Sequence, residues 1–417
     1  MLDELIERLR SPEREARSHA TRELATLARS GTLTSEDAAR LVRTAAGSAG
    51  DFPAATEFED PTATLVWAAR DIARDKNPEP LVEVTLGCYE RLRPMARTGA
   101  LQLLTMVATP PAADAYVHLI RTHGAPRAGP GLPSFEPSAG REVGARLLPA
   151  LLELCRDWDV AFPTLCMFLE FIRAGAADPV VAGPFSGRLA SALRGQLALA
   201  RPMQRREGIG WRDDPAYSPH RAMIGLLMDL SGHLRADDLT AVVEQAGDLA
   251  DPRPRRFRAV ALLALGRDVP DAELEWIARS PRDRYWLAGQ LPEDRAPAAC
   301  RDQALLAEGH MVDWLCYGTE LGREPDEIEP IRVETRSRSE AKLMVRWLAK
   351  RRLVDYYFFR FRVTEEHWAK EKGWMVGMAG GYARDEQPTV ENDGGTFSQF
   401  EPFDSRTIDQ HVEMYLG

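Results

Sequence analysis

Three widely separated stretches of the chain place the same residue types at the same offsets. Ala16-Arg17 is followed by Ala20 and Leu24, Ala96-Arg97 by Ala100 and Leu104, and Phe257-Arg258 by Ala261 and Leu265. From each arginine it is three residues to a small Ala and seven to a Leu, which puts both on one face of a helix. The stretches recur at multiples of roughly forty residues, a period typical of arrayed helical units. The Ala lets a neighbouring helix come close, and the Leu one turn on fills the groove. One helical hairpin cannot cover its own apolar face, so hairpins of this kind must stack. Asp60-Pro61 with Leu65 and Ala69, and Ser280-Pro281 with Tyr285, read as degenerate copies.

The pattern Ser/Asp-Pro-x-x-x-Ala/Val-Arg-x-x-Ala-x-x-x-Leu resembles the second helix of HEAT-type repeats, including the bacterial HEAT-like ones. Ser11–Leu24 fits it, Asp251–Leu265 fits with one extra residue in the turn, and Arg93–Leu104 fits without the leading Asp-Pro. The resemblance covers about residues 1–125 and 220–330, while 141–215 read as helical without the motif. It implies a mainly α fold, a HEAT-like α-α superhelix or solenoid. It also implies a non-catalytic scaffold that binds a protein or peptide partner on its concave face, because such arrays usually bind. The di-iron hydroxylases of this fold use His-Glu pairs, and none of the eight histidines here is followed by Glu.

The end of the chain has a different period. Tyr357, Phe359, Phe361 and Val363 alternate with Tyr356, Phe358, Arg360 and Arg362, as a strand with one dry face requires. A second strand is expected from Trp374 to Tyr382, where Gly377, Gly380 and Gly381 mark a bulge or a close approach. A third is expected from Thr396 to Phe400, and Ser405 is placed to cap a last helix ending near Leu416. Residues 354–417 therefore read as a small C-terminal α+β cap that docks on the helices before it. A helix over 339–353, with Lys342, Arg346 and Lys350 as a basic stripe, joins it to the array. The plan is hairpins over 1–125, a Pro/Gly-rich loop over 126–140, continued helices over 141–353 with an irregular loop at 201–219, and the cap.

Net charge is −10, which disfavours a general nucleic-acid coat. No apolar run is long enough to span a bilayer, and the first residues, MLDELIERLR, are charged and amphipathic. A cytoplasmic protein without membrane contact is expected. The five cysteines form no CxxC pair and read as free thiols. Only five lysines stand against many arginines, a bias of GC-rich bacterial genomes. No HExxH, GxSxG or P-loop is present, and neither metal nor cofactor is expected.

Two groups of residues are candidates for partner binding: Arg255, Arg256 and Arg258 at one repeat start, and Arg205, Arg206 and Trp211 in the 201–219 loop. Their commoner role is pairing with acids of the next repeat. An alternative is an enzyme or small-ligand site at the junction of solenoid and cap, built from His367, Trp374, Tyr382, Glu391 and Asp393. A second alternative is nucleic-acid binding through the loop near Trp211, as the HEAT-like alkylpurine DNA glycosylases use a basic, aromatic-lined groove.

Overall fold

A computed structural model describes the chain apart from residues 57–58, 74–79, 127–130, 156–157, 207–209, 340–350, 365–372, 385–389, 391–394 and 400–401. The chain divides into two compact units, Met1–Ser191 and Ala192–Gly417. Among the described residues it is mainly helical, with one four-stranded antiparallel sheet near the C-terminus.

The first unit holds α1 (Leu2–Leu9), α2 (Arg14–Arg29), α3 (Ser35–Gly47), α4 (Pro61–Ala73) and α5 (Pro80–Cys88). It continues with α6 (Pro94–Val107), α7 (Pro110–His123), α8 (Gly140–Leu154) and α9 (Trp158–Arg173). Several helices open on proline, whose missing N–H is harmless in the first turn. Thr34 and Asp37 close a capping box at the start of α3. Among the middle helices, alternate ones are in contact: α2 packs on α4 and α4 on α6, α3 on α5 and α5 on α7.

The chain passes along α10 (Ser186–Gln204) into the second unit, with α11 (Ser218–Leu234), α12 (Asp237–Glu244) and α13 (Pro252–Ala264). α14 (Asp271–Ile277), α15 (Pro281–Ala288) and α16 (Gln303–Tyr317) follow. Here α11 packs on α13 and α13 on α15.

The recurring residues occupy equivalent places. Ala20, Leu24, Ala100, Leu104 and Ala261 are buried, and Leu265 is half-buried at the end of α13. Each recurring arginine turns back to carbonyls of the segment before its helix. Arg17 donates to Ser11 and Pro12 at 2.9 and 2.8 Å, and Arg97 to Leu92 and Glu90 at 3.0 and 2.6 Å. Arg258 donates to Val243 and Glu244, both at 3.0 Å. Carbonyls at helix ends lack intrahelical donors, and one guanidinium supplies several. The repeated arginine is therefore a joint between consecutive helices.

The sheet runs β1 (Glu327–Ser339), β2 (Arg351–Arg362), β3 (Met375–Ala383) and β4 (Gly395–Gln399), in that spatial order. Tyr357, Phe359, Phe361 and Val363 lie on one face, packed against Ala307, Met311 and Leu315 of α16. Val354, Tyr356 and Phe358 lie on the other, covered by Val412 of α17 (Ile408–Leu416). Gly381, at φ +86°, is the extra residue where Asp355 pairs with Tyr382 but Tyr356 with Gly380. A Cβ on Gly377 would collide with Met311 of α16. These glycines serve twist and close contact with a helix.

The structure departs from expectation before residue 354. β1 was expected to be helical, and the proposed helix over 339–353 has strand at its described ends, Ser339 and Arg351–Leu353. Its middle, 340–350, lies outside the described residues. The local pattern of β1 is obscured by Pro330 inside it and by charges at six of its thirteen positions. Pairing with β2 decides its state: Glu327 faces Arg362 and Glu329 faces Arg360. Pro330 sits at a register shift on an edge strand, where a missing donor is tolerated. The last helix is capped by Thr407, with Ser405 in a preceding 3₁₀ turn. The five cysteines are free, and no described helix is long and apolar enough to cross a membrane.

Candidate functional site

In the second unit, three neighbouring helices begin with the same chemistry: Ser218-Pro219, Asp251-Pro252 and Ser280-Pro281. Their first turns border a cleft of about 520 Å³, closed further by the end of α16 and by the loop from Gly322 to Asp326. Helix starts carry partial positive charge. Arg212, Arg221, Arg253, Arg282 and Arg323 add five guanidinium groups to the lining, against the acids Asp251, Asp283, Glu324 and Asp326. A chain of net charge −10 thus has a cleft of the opposite local sign.

Two of the acids are structural. Asp251 caps α13 through the Arg253 N–H at 3.0 Å and accepts from the buried Tyr217 hydroxyl at 2.8 Å. That hydroxyl also accepts from Gln204 Nε2 at 2.8 Å, so one polar chain ties α10, α11 and α13. Burial, with Asp251 close by, raises the Tyr217 pKa well above its ordinary value and keeps the phenol a donor. Asp283 is buried between Arg256 at 2.8 Å and Ser280 Oγ at 2.7 Å.

The arginines divide into two sets. Arg282 is buried, donates to Asp313 at 3.0 Å and lies 3.7 Å from Glu324. Its guanidinium stacks 4.2 Å from the centre of the Tyr317 ring, and Tyr317 is 74% exposed, so this pair forms an accessible wall. Arg253 donates to Glu324 at 2.6 Å, and Arg323 to Asp326 at 3.0 Å. Arg212 and Arg221 differ: among the described residues neither has a carboxylate partner. Arg221 donates to the Arg212 carbonyl at 2.9 Å and lies over the Tyr217 ring. Arg212 lies over Trp211, and its buried Nε has no hydrogen-bond partner among the described residues.

Cys316 also lines the cleft. Burial pushes its thiol up to about 11, so it is protonated at neutral pH and a poor nucleophile. No described group of three or more His, Cys, Asp or Glu is placed to hold a metal ion. The chemistry available is recognition of acid groups by guanidinium forks.

The residues singled out in the sequence are scattered by the fold. Arg255 and Arg258 both bind Glu273, at 3.3 and 2.7 Å, and Arg255 also lies over Trp276. Arg256 is buried on Asp283, between Phe257 and Trp286. These three are internal joints of the second unit. Arg205 is exposed and Arg206 pairs with Asp214 at 2.8 Å. Trp211 is buried edge-on against Tyr217, beneath the arginines of the cleft. Trp374 is clasped by Arg360 and Arg362, and Tyr382 is buried in the sheet core with its hydroxyl on His310. His367, Glu391 and Asp393 lie outside the described residues.

Arg282, Arg221 and Glu324 escaped sequence reading. A signal was present, since an arginine follows Pro219, Pro252 and Pro281 within two residues. That these starts stand side by side depends on alternate helices stacking. No protein-family model matches this chain, and no curated protein matches it.

Proposed function

We propose that this chain is a HEAT-like helical scaffold that binds a partner protein through an acidic segment, received in the cleft at the starts of α11, α13 and α15. One observation carries the reading: Arg212 and Arg221 line a positively poised cleft without a carboxylate partner among the described residues. Unpaired guanidinium groups beside helix starts favour an incoming carboxylate. The array reading draws support from the contacts of alternate helices in each unit and from the equivalent places of the recurring Arg, Ala and Leu. Binding is favoured over catalysis because the one thiol of the cleft is held protonated and its acids are engaged by arginines and helix caps.

The test is a titration of the full chain with a fluorescent hexaglutamate peptide, with hexalysine as control. Exchange of both arginines in Arg212→Gln/Arg221→Gln weakens hexaglutamate binding at least tenfold, about 1.4 kcal/mol. Equal binding by the double variant, or no preference over hexalysine, defeats the reading. The second reading, a small-ligand site where helices meet sheet, is favoured by the cleft's volume and by Thr364, just after β2, in its lining. Saturable binding of free citrate with none of the peptide would decide for it.

A further inference from the structure

Glu324 stands apart from the other acids of the cleft. Arg253 and Arg282 come from the first turns of adjacent helices, and their side chains are only 20% and 4% exposed. Glu324 comes from a loop, is 40% exposed, and reaches between them at 2.6 and 3.7 Å. The loop is fastened at both ends, and within it Arg323 donates to Asp326. Leu321 is buried in the core under the sheet, while Asp326 accepts from the Thr364 N–H at 2.7 Å and donates its own N–H to Arg362. Between these anchors Gly322 takes φ +65°, a conformation that glycine adopts freely.

We infer that Glu324 occupies the seat of a partner's carboxylate, and that an acidic side chain of the partner displaces it when the cleft is filled. This rests on the reading above that the cleft takes an acidic segment. The exchange is chemically even, because one carboxylate replaces another on the same two guanidinium groups. Arg282 keeps Asp313 throughout, so it is never left as a buried charge alone. Glu324 acts as an internal competitor with an effective concentration set by its short tether. It lowers apparent affinity by the fraction of molecules in which the seat is open. The displaced stretch is Gly322–Pro325, between the fixed anchors.

The experiment uses the full chain and the hexaglutamate peptide. Glu324→Ala opens the seat and tightens peptide binding about tenfold or more, for a seat filled nine-tenths of the time or longer. Independently of any variant, saturating the wild-type chain with peptide speeds amide hydrogen exchange at Gly322, Arg323 and Glu324. Equal or weaker binding by Glu324→Ala overturns the inference, and so does unchanged or slowed exchange in that stretch. If the variant does not fold, the exchange measurement alone decides. Wild-type binding that weakens in Arg212→Gln/Arg221→Gln but does not tighten in Glu324→Ala removes this inference and leaves the acidic-segment reading standing. No peptide binding by any form removes both.

Discussion

The helix starts of α2, α4 and α6 in the first unit and those of α11, α13 and α15 in the second are built from the same parts. Each set belongs to alternate helices in contact and opens on or just after Ser/Asp-Pro or Arg-Pro, and every helix but α4 carries an arginine in or just before its first turn. In the first unit the parts close on one another. Arg17 forks onto Glu59, just before α4, at 2.6 and 3.0 Å. Arg93, at the start of α6, donates to the carbonyls of Ala49, Phe52 and Pro53 and lies 3.5 Å from Asp60. Asp60 is held by the N–H and hydroxyl of Thr62. In the second unit Arg253 and Arg282 meet only a loop carboxylate on the cleft side, and Arg212 and Arg221 meet none among the described residues. The same local grammar makes a sealed joint where a connecting segment folds back over the helix starts, and a cleft where it does not.

Breaking one ion pair in each unit puts this contrast on an energy scale. Arg256→Ala strands the buried Asp283 and should cost about 3–5 kcal/mol in urea unfolding. A cost below about 1 kcal/mol would mean that Asp283 is not sealed from water. Arg17→Ala removes a half-buried fork and should cost less, about 1.5–3 kcal/mol. A larger loss there than at Arg256 would reverse the ranking of the two joints.

Acid separates the units as well. The hydrogen bond from Arg17 holds Glu59 below its ordinary value of 4.5. The unfolded chain then binds that proton more readily than the folded one. The stabilisation is present above pH 4.5 and is lost as pH falls through the lower native value. Local hydrogen exchange in α2 and α4 should accelerate over that range, and Arg17→Ala should flatten the response.

The smallest expected effect belongs to His310. It stacks on Tyr285, contacts the Tyr382 hydroxyl at 2.9 Å and reaches Thr396 through Nε2 at 3.0 Å. Burial lowers its pKa below 6.5, and Asp313 opposes this only in part. Its contribution is complete above pH 6.5 and declines as pH falls through its native value, so exchange in α16 and β3 should rise at milder acidity than in α2 and α4. A His310→Gln variant that keeps the same slope between pH 6.5 and the carboxylate range would discard this assignment.

Strong local periodicity was legible from residues alone. The Arg-Ala-Leu phase predicted which side chains would be buried, and the alternation from Tyr356 to Val363 predicted the face of β2 that packs on α16. The other face, expected to be wetter, is buried under α17 at Tyr356 and Phe358. β1 was missed although Ile331, Val333 and Thr335 alternate with Arg332, Glu334 and Arg336, because Pro330 and the many charges masked that rhythm, and its pairing with β2 is visible only in the fold. The arginines were legible as residues but not as roles. Arg255, Arg256 and Arg258 look like a basic patch in one dimension, yet each meets an acid or a carbonyl contributed by another helix. Arg253, Arg282 and Glu324 look unrelated, yet two helix starts and one loop bring them within a few ångströms.

By itself the sequence determined that most of this chain is helical, that its helices need neighbours, and that its last part holds strands. These properties follow from short-range spacing of apolar and turn-forming residues. Which arginines are sealed and which line a cleft was decided only by tertiary structure. A guanidinium's partner is set by what lies within about 4 Å of it in space, and in this protein that is usually a residue from another helix or loop.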